Sequence, residues 1–240
     1  MEQLIIDSRF CGPPDSGNGG YTCGLVANFI DGPAEVILRR PPPLNKKLNV
    51  KKNGGEKVIL YDENGTIAEA KPTNIEIDIP VPPPFSAIEN SATSIHEIEN
   101  HQYPTCFVCG PRRKEFDGLR IFPGPVEGTN YLAAPWIPDA SLSDHTGNIR
   151  HEIIWAALDC PGGWVVVHEK RRPILLGKLA VQITTRMNPN DKCGVIGWKI
   201  SHEDRKIITG TALFSDSGQL YAKARATWIE LKSKGGKSND

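Results

Sequence analysis

Asp159 is the residue whose surroundings ask for a chemical explanation. It lies in IRHEIIWAALDCPGGW, residues 149–164, where Ile153, Ile154, Ala157 and Leu158 follow a helical spacing of apolar positions. An unpaired carboxylate near the end of such a helix is costly to bury. Asp159 therefore either bonds local backbone near Gly162, or works as a general base or nucleophile. A second group is Asn18-Gly19-Gly20, ahead of the apolar run 21–30. Glycines that open a helix let a ligand approach the free N–H groups and partial positive charge of its N-terminus. Such amides can stabilise an oxyanion in acyl transfer. A tight turn into the helix is the simpler reading of the same two glycines.

Other chemistry-bearing groups have plainer readings. Cys106-x-x-Cys109 offers half of a zinc site, but no second CxxC and no HxxxH accompanies it. Small buried thiols in a loop entering a strand are the preferred reading, and no metal is expected. His151-Glu152 opens a helix, where Glu suits the dipole; Asp144-His145 before it reads as a polar loop. Arg171, Arg172, Lys178, Arg186 and Lys192 surround the run LLGKLAVQITTRM. They could meet phosphates of a nucleotide-bearing ligand or simply protect a sheet edge. The five tryptophans are expected in the core.

These residues need elements to hold them, and the chain supplies two helices and many strands. Strands are expected at LIID, AEVILRR, LNVKK, EKVILYD and TIAEAKPTNIEIDI, with Asn-Gly and Gly-Gly turns between some of them. Pro161-Gly162-Gly163 should end the second helix. GLRIFP, TNYLAAPWI, WVVVHE, LLGKLAVQITTRM, CGVIGWKIS, KIITGTALFSD and QLYAKARATWIEL then read as further β runs. VPPP followed by SAIENSATSIHEIEN reads as a spacer with a short amphipathic helix. The expected organisation is residues 1–79, a linker at 80–105, residues 106–232, and a frayed tail at 233–240.

The 240 residues suffice for one large domain or two small ones, and 39% hydrophobic residues allow a sizeable core. Lys+Arg and Asp+Glu both total 28, a balance that argues against a dedicated nucleic-acid binder. No apolar run long enough for a membrane span and no signal-peptide pattern occurs, so a cytoplasmic protein with six reduced cysteines is expected.

The halves repeat. Residues 58–77 placed on 212–231 share Asp62/Asp216, Ala68/Ala222, Ala70/Ala224, Thr73/Thr227, Ile75/Ile229 and Glu76/Glu230, six identities in twenty against about one by chance. The second half has room for about two more strands after its helix, so the first is expected to be a reduced copy. Setting NGGYTCGLVANFI over RHEIIWAALDCPG pairs Gly19 with His151, Gly20 with Glu152 and Ala27 with Asp159. One helix keeps the glycines and the other keeps the acid.

Helices wrapped by curved antiparallel sheets, CFVCGP followed by Gly118-Leu119, and Asn18-Gly19-Gly20-Tyr21-Thr22 together resemble the hotdog-fold acyl-CoA thioesterases. In that family a His-Gly-Gly start opens the central helix, so Asn18 stands where the family has His. WAALD matches the segment that carries the family's acid, which places Asp159 on it. The resemblance implies an α+β double hotdog fused as an intramolecular pseudo-dimer. It further implies one composite site: amides of Gly19 and Gly20 with Asn18 from one helix, and Asp159 from the other. The expected substrate is an acyl-CoA or related thioester, cleaved without a cofactor. Substrate contacts are expected from Thr22, Thr184, Thr185, Arg186, Arg171, Arg172 and Lys178, with pantetheine leaving near Thr184–Arg186. Two other readings stay open: a non-catalytic acyl-CoA or lipid-binding protein, and a hydratase or dehydratase using Asp144 and His151, whose spacing does not fit the Asp-x4-His pattern of those enzymes. Pairing of whole chains into a homo-oligomer is left open.

Overall fold

A computed structural model describes residues 2–54, 56–92, 101–170 and 173–231. Two buried helices lie side by side against one antiparallel sheet of eleven strands. The first half supplies β1 (Glu2–Ile5), α1 (Gly19–Ala27), β2 (Ala34–Leu38), β3 (Lys47–Asn53), β4 (Lys57–Asp62) and β5 (Gly65–Pro72). A short helix, α2 (Phe85–Ser91), follows, and its Ile88 fills a smaller core cluster with Tyr131, Ile196 and Trp198. The second half supplies β6 (Gly124–Pro125), β7 (Tyr131–Trp136), α3 (His151–Lys170), β8 (Ile174–Ile183), β9 (Cys193–Glu203), β10 (Lys206–Ser215) and β11 (Leu220–Glu230).

The strand order is β1-β3-β4-β5-β2-β8-β11-β10-β9-β7-β6. Around the central β2–β8 pair, β5, β4 and β3 stand on one side as β11, β10 and β9 stand on the other. The β2–β8 junction runs antiparallel, with Val36 opposite Leu179. The hairpins β4–β5 and β10–β11, built from the segments that repeat in sequence, occupy corresponding places. Among the described residues each half thus has four strands after its helix, not two more in the second. The extra length goes into longer strands: β8 to β11 span 10, 11, 10 and 11 residues, whereas β2 to β5 span 5, 7, 6 and 8.

Local signals misplace several boundaries. Pro161-Gly162-Gly163 does not end α3, and WVVVHE is helix rather than strand. The reason is tertiary. A Cβ on Gly162 would come 2.6 Å from Thr209 Oγ1, and one on Gly163 2.9 Å from the Trp228 ring. Glycine here lets the helix lie on the sheet, and burial outweighs a helix penalty of about 1 kcal/mol per glycine. GLRIFP forms no strand; its Leu119 and Ile121 N–H groups instead bond the carbonyls of Phe107 and Val108. The expected strand through 79 ends at Pro72, and the expected helix through 100 ends at Ser91, with residues 93–100 outside the described set. Trp136, Trp155, Trp198 and Trp228 are core residues, as their size favours.

Candidate active site

The two helices touch at backbone distance. A Cβ on Gly20 would lie 2.8 Å from the Trp155 carbonyl oxygen and closer still to Asp159 Cβ; one on Gly24 would lie 2.5 Å from Glu152 Cα. Only glycine, spaced one helical turn apart, allows this approach. Asn18 caps α1: its side-chain oxygen accepts from the Tyr21 N–H at 2.8 Å. The cap turns the Asn18 amide nitrogen toward α3.

That approach brings Asp159 to the N-terminus of α1. Its Oδ2 accepts from the Gly20 N–H at 2.8 Å and from Asn18 Nδ2 at 3.2 Å. Its Oδ1 is buried with no hydrogen-bond partner among the described residues. Burial pushes the Asp159 carboxyl up to about 7, against the Gly20 hydrogen bond, which favours the carboxylate. Asp159 is 3% exposed, so its charge is balanced by amides rather than by water.

A cavity of about 360 Å³ opens beside it. Asn18, Gly19, Asp159 and Cys160 form its inner wall. Leu38, Ile174, Leu176 and Trp228 give apolar sides, and Arg39, Arg40 and Pro41 also line it. Arg39 pairs with Glu69 and Arg40 with Asp62, while Arg40 Nε is buried without a partner among the described residues. Cys106 and Cys109 complete the wall from a loop docked on the first half, where the Phe107 N–H bonds the Cys11 carbonyl at 2.7 Å.

No protein-family model matches the sequence, and no curated protein matches it. Solved structures do. The chain is similar to a protein of unknown function with a hot dog fold from Alicyclobacillus acidocaldarius, at 11% identity and a TM-score of 0.61, over 96% of this chain and 93% of that one. It is similar to a provisionally assigned thioesterase from Novosphingobium aromaticivorans, at 12% identity and a TM-score of 0.61, over 96% and 95%. It is also similar to the tesB protein of Mycobacterium avium subsp. paratuberculosis, at 11% and 0.55, over 90% and 88%. The chain has the hotdog fold.

With the hotdog helices in place, the expected site residues divide. Asn18, Gly19, Gly20 and Asp159 come together. The Gly20 N–H, however, is engaged by Asp159 and is not free for a substrate carbonyl. Gly19, one residue earlier, lines the cavity, and its N–H has no hydrogen-bond partner among the described residues. Thr22 is fully buried, its hydroxyl bonded back to the Asn18 carbonyl at 2.8 Å, and it is not part of the lining of this cavity. Thr184, Thr185 and Arg186 follow β8, whereas the cavity touches only its opening residues Ile174–Gly177. At about 3.3 Å per residue the separation is roughly 20–30 Å. Thr184 Oγ1 instead donates to the Leu220 carbonyl at 2.8 Å. Lys178 pairs with Glu35 at 2.9 Å, away from the cavity lining. Arg171 and Arg172 lie outside the described residues.

Sequence reasoning missed Arg39, Arg40 and Cys160. The first two carried a signal: a basic doublet between a strand and Pro41-Pro42-Pro43, where the chain must leave the sheet. At the start of α3 a second cavity of about 310 Å³ is lined by Ala27, Asn28, His151 and Ile183. It sits where the pairing of the helices puts Ala27 against Asp159. Asn28 Nδ2 there donates to the Glu152 carboxylate at 3.3 Å. No helix among the described residues is long and apolar enough to cross a membrane.

Proposed function

We propose that the chain is a thioester hydrolase for acyl-CoA-type substrates, acting at one composite site between two fused hotdog halves. Residues 1–79 form one half, 80–105 the linker and 106–232 the other, an intramolecular pseudo-dimer supported by the strand order about β2–β8 and by α1 and α3 starting at paired positions. The observation that carries the reading is the Asp159 carboxylate, buried on the cavity wall at the α1 N-terminus with Oδ1 unpartnered among the described residues.

The chemistry follows from that placement. The Gly19 N–H and the α1 dipole polarise the thioester carbonyl. Asp159 Oδ1 takes a proton from water as the water oxygen bonds the carbonyl carbon. The tetrahedral intermediate collapses, the C–S bond breaks, and the thiolate leaves and takes up a proton. Gly20 and Asn18 fix Oδ2, so the free oxygen is oriented toward its task. Arg39 and Arg40 at the cavity suit the phosphates of a coenzyme A-type leaving group.

The test is thiol release from a panel of acyl-CoAs by wild type and by Asp159→Asn, which keeps shape and removes the base. Turnover should fall by about 10²-fold or more while CoA binding survives. Full activity in Asp159→Asn would reject the mechanism. No thiol release from wild type with CoA binding retained would leave an acyl-CoA-binding role, and loss of enoyl-CoA absorbance would indicate a hydratase.

A further inference from the structure

The thiols of Cys106, Cys109 and Cys160 converge on the cavity wall from two distant parts of the chain. Their Sγ atoms all lie within 4.8 Å of one another. We propose that they form a binding site for a thiophilic divalent cation of the Zn²⁺ class, with three thiolate ligands and a fourth position open to the cavity.

The spacing fits. A tetrahedral centre with metal–sulfur bonds of about 2.3 Å sets neighbouring sulfurs about 3.8 Å apart. The Cys106 and Cys160 sulfurs are 3.7 Å apart. Cys106 and Cys109 sit in a Cys-x-x-Cys-Gly turn closed by the Gly110 N–H on the Cys106 carbonyl at 2.9 Å. A Cβ on Gly110 would come 2.5 Å from that oxygen, so the turn needs glycine. This turn projects both thiols to one side, and α3 brings the third.

The surroundings suit negative sulfur. Asn18 Nδ2 points at Cys106 Sγ and Cys160 Sγ, at 3.8 and 3.9 Å. Three clustered thiols contribute little to packing beyond what small apolar side chains would give. All six cysteines are free thiols, and Cys11, Cys23 and Cys193 stand outside the group. Binding is redox-neutral: one M²⁺ displaces three thiol protons and leaves a site of net charge −1. All three residues line the cavity, so the fourth ligand comes from solvent or from the cavity's occupant. The proposal does not depend on thioester hydrolysis, and its readout is independent of activity.

The test uses the full chain, reduced with a phosphine, stripped with a chelator and titrated with Co²⁺. One equivalent should produce a near-ultraviolet thiolate-to-cobalt charge-transfer band and intense visible bands of a tetrahedral centre, both removed by Zn²⁺. Cys106→Ser and Cys160→Ser should abolish this spectrum, and Cys193→Ser should retain it. Because a serine variant can misfold, X-ray absorption of zinc-loaded wild type gives a second reading: three sulfurs at about 2.3 Å are expected. A reduced wild type with no stoichiometric cobalt spectrum, an unchanged spectrum in Cys160→Ser, or a zinc shell without sulfur would overturn the proposal. So would a Cys106–Cys160 disulfide in a chain that takes up no metal after reduction.

Discussion

Gly20→Ala joins stability and site geometry in one substitution. The new methyl would lie 2.8 Å from the Trp155 carbonyl oxygen and 3.1 Å from Ala156 Cα, both backbone atoms of the facing helix. Carbon contacts relax at about 3.5–4.0 Å, so α1 and α3 must part by several tenths of an ångström or more. Overpacking of this kind costs about 1–3 kcal/mol. Weakening the 2.8 Å Gly20–Asp159 hydrogen bond adds about 1.5–3 kcal/mol, and alanine returns up to about 1 kcal/mol of helix propensity. The net loss is about 1.5–5 kcal/mol. For a chain of 240 residues that lowers Tm by about 3–20 °C. Displacing Asp159 by about 1 Å also lowers turnover by about 10²-fold per folded molecule. Thermal melts and thiol release on the same preparation measure both. Gly24→Ala is the control: its methyl would meet Glu152 Cα at 2.5 Å, away from the Asp159 hydrogen bond. It should lower Tm with a much smaller loss of turnover. A Gly20→Ala protein that melts within about 2 °C of wild type, less than 1 kcal/mol, would refute the close-packing argument.

Leu213→Ala and Trp228→Ala should each destabilise by about 2–5 kcal/mol, because both side chains are buried in the long hairpin under α3; denaturant midpoints equal to wild type would contradict this. Ala27→Asp should not create a second site and should lower stability. Ala27 is 1% exposed and the buried Glu152 carboxylate lies at the same helix contact. A stable Ala27→Asp protein whose Asp159→Asn double variant still releases thiol from acyl-CoA would show the reverse.

The fold was largely legible because its signals are local. Apolar alternation marks β11, an Asn-Gly turn joins β4 to β5, and Asn18 caps α1. The helix pairing also set Gly20 and Asp159 near one another from sequence, and they are hydrogen-bonded. What failed depends on distant contacts. Nothing in WVVVHE marks it as helix, because its assignment follows from glycines fitting under Thr209 and Trp228. The fate of the Gly20 amide was equally hidden. Whether an N-terminal N–H meets ligand or protein is decided by about 1 Å of interhelical distance, which no spacing rule carries.

Cys160 is the sharpest case of the same limit. It stands 54 residues from Cys106 in sequence, in a helix rather than a second CxxC turn, so a search for paired ligand motifs passes over it. Yet it is the residue next to Asp159, and the same close approach of α1 and α3 that binds Asp159 to Gly20 also sets Cys160 beside the Cys106 loop. Asn18 touches both arrangements, donating to Asp159 Oδ2 and pointing at two of the sulfurs. The chemistry of the Asn18 amide suits both neighbours. Its nitrogen carries two N–H groups that only donate, so one amide serves the carboxylate and the sulfurs together. The Asn18 cap, the Asp159 carboxylate and the thiol cluster therefore form one connected polar wall, positioned by the same contact between α1 and α3.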